Sequence, residues 1–231
     1  LKRLKPKSVI VKPTIVYQPV SSSNKIVISD RTIEKVSQQA KLTPSYLVFM
    51  AMSGILAAVA LLTNSIPILI GSMVIAPALP PLGLVSLALV VRKPRLALKG
   101  LITALVGFFV AIVFAMLTTW ILNVTHVIPA ETNLIKKELL EERVKPGWYS
   151  VIAAAAAGIS GAIALVQQKT DTLVGVVAAL ALVPALAAAG IAFLSKSPIG
   201  LGGLLLFGIN VGFIILSGIV TVIIMRPDQQ E

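Results

Sequence analysis

The sequence predicts an all-α, polytopic membrane protein with about six transmembrane helices arranged as two inverted three-helix repeats. Three observations carry that reading. The 231 residues are 57% hydrophobic and only 13% charged, with a mean hydropathy of +0.96, whereas soluble domains carry about 25% charged residues. The apolar segments are long enough to cross a hydrocarbon core about 30 Å thick. One of them, around Gly71–Gly83, contains three prolines and has a later counterpart in Gly175–Gly190.

Residues 1–28 are basic and interrupted by Pro6, Pro13 and Pro19, which reads as an extended cytoplasmic tail. Anionic headgroups attract such segments; the alternative makes Val9–Val11 and Ile26–Ile28 short strands of a truncated soluble domain. Ser29–Leu42 is expected to be a short interfacial helix, capped by Ser29 or Asp30, with Ile33, Val36 and Ala40 on one face. Pro44 bounds it.

Span 1 covers about Tyr46–Thr63, and Asn64–Ser65 is a short uncharged turn. Span 2 is Ile66–Val91, with Pro67 suited to its first turn. The strongly basic loop Arg92–Arg95, with Lys99, leads to span 3 at about Gly100–Val124, where Trp120 suits an interfacial belt. Ile128–Tyr149 is the one long loop, and its charges balance. Glu131–Val144 within it, with pairs such as Glu141–Lys145, is expected to form a short helix outside the bilayer.

Span 4, Tyr149–Val166, is dense in alanine, and Gly158 and Gly161 allow close helix approach. Span 5 is Thr172–Leu194 with Pro184 central, and span 6 is about Ile199–Met225. The resulting organisation is a basic tail and interfacial helix (1–44), a membrane repeat (45–124), an external amphipathic linker (125–148), a second membrane repeat (149–226) and a short tail (227–231).

The repeat is visible under one ungapped offset of 104 residues. Gly54 meets Gly158, Gly71 meets Gly175, Pro80 meets Pro184 and Pro94 meets Pro198. A unit with an odd number of spans enters the bilayer upside down relative to its copy. The second helix of each unit is expected to be broken by proline, which removes an N–H and clashes with the carbonyl four residues back. Interrupted helices at matching places in inverted halves point to a midplane binding site.

Ser53–Leu82, SGILAAVALLTNSIPILIGSMVIAPALPPL, resembles the first signature of the bacterial and archaeal "domain of unknown function 389" membrane family. Gly158–Leu165 and Gly175–Ala192 resemble its second signature, and Leu204–Ile215, with Asn210, its final span. The resemblance covers roughly Leu42–Val220. Ser72 stands where the family usually has alanine, and Ala185 replaces the second proline of a pair. The resemblance implies a multi-pass protein of the inner or plasma membrane and leaves its activity open.

Enzymatic chemistry has almost nothing to stand on in this sequence, and a third reading, an intramembrane enzyme, finds no acid, base or nucleophile placed for it. There is no cysteine, His126 is the only histidine, and no carboxylate pair lies within a span. No metal ligands converge, and no cofactor or catalytic residue is expected. The net charge of +11 does not imply nucleic acid, because the cations cluster in the first 44 residues and one loop. Charge-free spans also exclude a proton relay or voltage sensor built on ionisable groups.

What remains is a secondary transporter or channel for a small solute or ion. Its candidate site uses Ser72, Ala76, Pro77, Pro80, Pro81 and Gly83 from one half with Ala181, Pro184, Ala185 and Asn210 from the other. The alternative is a non-catalytic assembly subunit, a homo-oligomer joined through the small faces of spans 4 and 6, with the prolines and Asn210 serving packing.

Both strongly basic segments fall on one side of a six-span chain, together with the C-terminus, and that side is expected to be the cytoplasm. A Lys137→Cys variant then reacts with an impermeant maleimide added from outside intact cells. Labelling that requires access from the cytoplasm reverses the orientation.

Overall fold

The computed structural model describes residues 30–125, 139–140, 147–167, 172–195 and 200–225, with backbone only at 30 and 172–181. All regular structure among them is helical: α1 (Asp30–Gln39), α2 (Pro44–Thr63), α3 (Ile66–Ile75), α4 (Leu79–Val90), α5 (Pro94–Val124), α6 (Trp148–Val166), α7 (Thr172–Leu194) and α8 (Gly200–Met225). The expected extended tail, with its alternative strands, and most of the expected linker helix lie outside the described residues.

Four helices, α2, α5, α6 and α8, are long and apolar enough to cross a membrane, and α3 with α4, bent by 51°, would make a fifth. These are the dimensions of a membrane protein. The remaining expected span, span 5, corresponds to α7, a 23-residue helix whose first ten side chains are outside the description.

Helix ends follow local chemistry. The Tyr46 N–H donates to Thr43 Oγ1 at 3.2 Å, with Pro44 at the start of α2. That helix stops at Asn64, which takes the left-handed conformation (φ 57°) that asparagine tolerates better than most residues. Pro94 opens α5, so Arg95 and Lys99 are helical rather than part of the expected loop. A proline costs nothing at a first helical turn, where its N–H would be unpaired anyway. At 31 residues, α5 is about 46 Å long, so it overshoots a hydrocarbon core of about 30 Å.

The expected interfacial helix is α1, and its apolar face turns onto protein rather than lipid. Ile33, Val36 and Ala40 join the main hydrophobic core, and α1 lies against α4. At the opposite end of α2, the Leu139 N–H donates to Asn64 Oδ1 at 3.1 Å, and Leu139 and Leu140 are buried. This contact ties the long connection to the α2–α3 turn.

The centre of the molecule is α4 together with α7. Nearly every residue from Leu79 to Ala88 is buried, as is every residue from Leu182 to Ala192. Around them, α2 packs along α5 and α6 along α8, while α4 and α7 each lie against both α5 and α8 or their partners. An edge-to-face contact of Phe108 with Phe207, ring centroids 4.9 Å apart, joins α5 to α8.

The two long pairs cross at glycine. A Cβ on Gly54 would run into the backbone of Ala111, and one on Gly158 into the backbone of Ile214. Backbone cannot move aside as a side chain can, so these crossings tolerate no methyl group. A Gly54→Ala variant should lose about 1–3 kcal/mol, read by denaturant titration in detergent. Gly71→Ala, whose Cβ meets nothing within 4 Å, should be neutral; equal losses would refute the crossing.

Candidate functional site at the helix break

The interruption expected over Gly71–Gly83 is a single short one. Helix α3 ends at Ile75, Ala76 is extended (φ −69°, ψ 114°), and α4 begins at Leu79. The Ala78 N–H donates to the Ala76 carbonyl at 2.9 Å, closing a tight turn about Pro77. Pro80 and Pro81 fall in the first turn of α4, where a missing N–H disturbs no helical bond. Only Pro77 therefore sits in the break itself.

The predicted break in the second half is absent. Helix α7 runs through Pro184 without interruption. One proline removes one helical bond, and Ala185, standing in place of a second proline, keeps its N–H. Burial of every α7 residue from Leu182 to Ala192 holds the helix together across that single defect.

Proline also decides which carbonyls lack a helical donor. The groups four residues behind Pro77, Pro80 and Pro81 are the carbonyls of Met73, Ala76 and Pro77. Ala76 is answered by Ala78; Met73, in the last turn of α3, can receive no N–H from Pro77, and the Pro77 carbonyl lies in the break outside both helices. On the adjoining turn, the Ser53 hydroxyl donates to the Ser72 carbonyl at 2.8 Å, and both serines are fully buried. The Ser72 hydroxyl itself turns back onto Leu69 O at 2.7 Å.

The candidate residues divide by environment. Ser72, Ala76, Pro81, Pro184, Ala185 and Asn210 are buried, whereas Pro77, Pro80 and Gly83 are half-buried. Ala181 has backbone only. Helix α7 lies against both α3 and α4, so the two proline-bearing segments are neighbours in the core. Gly83 faces α6, where its missing side chain makes room for Leu165, which is a packing role. Asn210 on α8 is 1% exposed; its Oδ1 makes no hydrogen bond among the described residues, although the residue has a polar interaction elsewhere. No group of three or more potential metal ligands occurs among the described residues.

Three hydroxyls that the sequence did not single out join helices through backbone carbonyls. Besides Ser53, Ser86 on α4 donates to Ile215 O on α8 at 3.1 Å, and Tyr46 on α2 donates to Thr103 O on α5 at 3.2 Å. A hydroxyl in a charge-free span is the only sequence signal for such a role, and it does not reveal which carbonyl is met. Ser53→Ala should cost about 0.5–1.5 kcal/mol, measured by denaturant titration. Ser160→Ala, whose hydroxyl bonds only within its own helix, should cost less than half as much; the reverse order would remove Ser53 from the break.

Comparison with known proteins gives family but no activity. An uncharacterized protein of Methanocaldococcus jannaschii is 29% identical over 221 residues, which is 92% of this chain and 65% of the relative. The chain thus spans just under two thirds of that curated relative's length. No solved structure matches. The profile described as "Domain of unknown function (DUF389)" matches residues 73–216, which take in the break, α4 to α7 and most of α8. The chain belongs to that family.

Proposed function

We propose that this protein is a membrane carrier or channel for a small cation, with its pathway between the Ala76–Ala78 break and the middle of α7. The observation that carries the reading is the balance of backbone groups at the break. Pro77 lacks the N–H that could reach back to the Met73 carbonyl, the Pro77 carbonyl lies in the break outside both helices, and Pro80 and Pro81 take two N–H groups from the start of α4. Acceptors therefore outnumber donors in a charge-free surrounding. Unwound carbonyls of this kind coordinate cations in transporters, whereas anions seek helix N-terminal N–H groups. Pro77 and Pro80 are half-buried, which leaves one side of the break approachable.

The inverted three-helix repeat belongs to the same proposal. It is supported by the matching glycine crossings of Gly54 with Ala111 and Gly158 with Ile214. It is also supported across the halves: Ser86 of α4 meets Ile215 of α8, and Gly190 of α7 lies against Ile112 and Met116 of α5. Each pair of positions is related by close to the same offset.

A second reading, a homo-oligomeric assembly subunit, draws on the outer face of α6 and α8. That face carries an apolar groove of about 620 Å³ lined by Ile159, Ile163, Phe213 and Leu216, among others. Only 22% of the most apolar window of α8 is buried within the chain.

The test is cation flux in proteoliposomes, read with a potential-sensitive dye under outward K⁺ or Na⁺ gradients. The unmodified chain should dissipate at least one gradient well above protein-free vesicles. Pro77→Ala restores an N–H to the break and should cut the flux about tenfold at equal insertion. Flux no greater than that of empty vesicles for both ions, or flux indifferent to Pro77→Ala, overturns the proposal.

A further inference from the structure

We propose that the cleft between α1 and the beginning of α5 holds the phosphate headgroup of an anionic phospholipid. This site is separate from the helix break and does not depend on transport. The cleft has a volume of about 280 Å³ and is lined by Ser37, Lys41, Leu84, Lys99, Ile102 and Thr103, among others. A second hollow of about 380 Å³ shares Lys99 and adds Lys93 and Arg95. Cations from two separate elements thus face a common space.

Lys41 and Lys99 are the charged residues that line the cleft, and no Asp or Glu lines it. No Asp or Glu occurs between Glu34 and Glu131, a stretch that holds Lys41, Arg92, Lys93, Arg95 and Lys99. The cleft walls are held in place rather than floppy. Burial of Ile33, Val36 and Ala40 pins α1, which presents Lys41 just beyond its end. On the other wall, the Tyr46 hydroxyl holds the Thr103 carbonyl.

An apolar track leaves the same cleft. Leu98, Ile102, Leu105 and Phe109 are all exposed on α5 at spacings of four, three and four residues, so they form one stripe along its outer face. Ile102 belongs to both the cleft and the stripe. A cationic seat at the head of an apolar stripe matches a phospholipid, whose phosphate and acyl chains need both. Free phosphate would use the lysines and leave the stripe uncovered. Basic pockets between helices favour anionic headgroups for this reason.

The chain, delipidated in neutral detergent, is titrated with phosphatidylglycerol or phosphatidylcholine and bound lipid is counted by native mass spectrometry. Phosphatidylglycerol should bind preferentially, and the preference should fall as salt is raised. The Lys41→Gln, Lys99→Gln double variant should lose it by about fivefold per lysine. The Lys41→Arg, Lys99→Arg variant should retain it, and thermal denaturation checks that both remain folded. Equal binding of the two lipids, an undiminished preference in the Gln variant, or displacement by millimolar inorganic phosphate would each overturn the assignment.

Discussion

A backbone carbonyl deprived of its helical donor inside an apolar interior must be answered by another group, because no bulk water is there to replace it. This constraint shapes the middle of the molecule. At the break between α3 and α4, the Ala78 N–H closes onto Ala76 and the Ser53 hydroxyl reaches Ser72 from the neighbouring helix. The break is thus held by α2, and α2 is in turn held against α5 through Tyr46 and the Gly54 crossing. Removing regular structure at one point has made the position of a second helix part of the solution.

The rest of the packing follows from small residues. Without a hydrophobic drive between helices in lipid, close van der Waals contact and interhelical hydrogen bonds do the associating. Alanine fills the buried face of α7, and glycine marks the places where backbones meet. The central helices α4 and α7 then need no outward apolar face, while α5 and α8 carry long exposed apolar stripes. The outer helices bury mostly small residues on the face turned inward and expose large apolar ones on the other, which suits a molecule whose exterior is itself apolar.

The end of the molecule that bears α1 obeys different physics. There the helices emerge from the apolar band, and Arg95 and Lys99 are helical because α5 is longer than the band is thick. Their charges meet those of the segment after α1, so a basic rim and an apolar wall occur at one level. The same overshoot explains why this region reads as a loop in sequence: charge marks the membrane edge, whereas Pro94 marks the helix start.

Several helix ends were legible, because turn chemistry is local. Asn64, Pro44 and Pro94 sit at ends that their own backbone preferences dictate. The candidate site was legible only in part. Three prolines announced an interruption, but Pro80 and Pro81 proved compatible with a first helical turn, and Pro184 with an unbroken helix. Composition by itself determined an all-helical chain with apolar spans, a basic end and no ionisable group at its centre. Tertiary structure decided which helix is buried, which hydroxyl answers which carbonyl, and whether a proline breaks its helix. Those outcomes depend on what neighbours supply across space, and a lost hydrogen bond is repaired by residues far away in the chain.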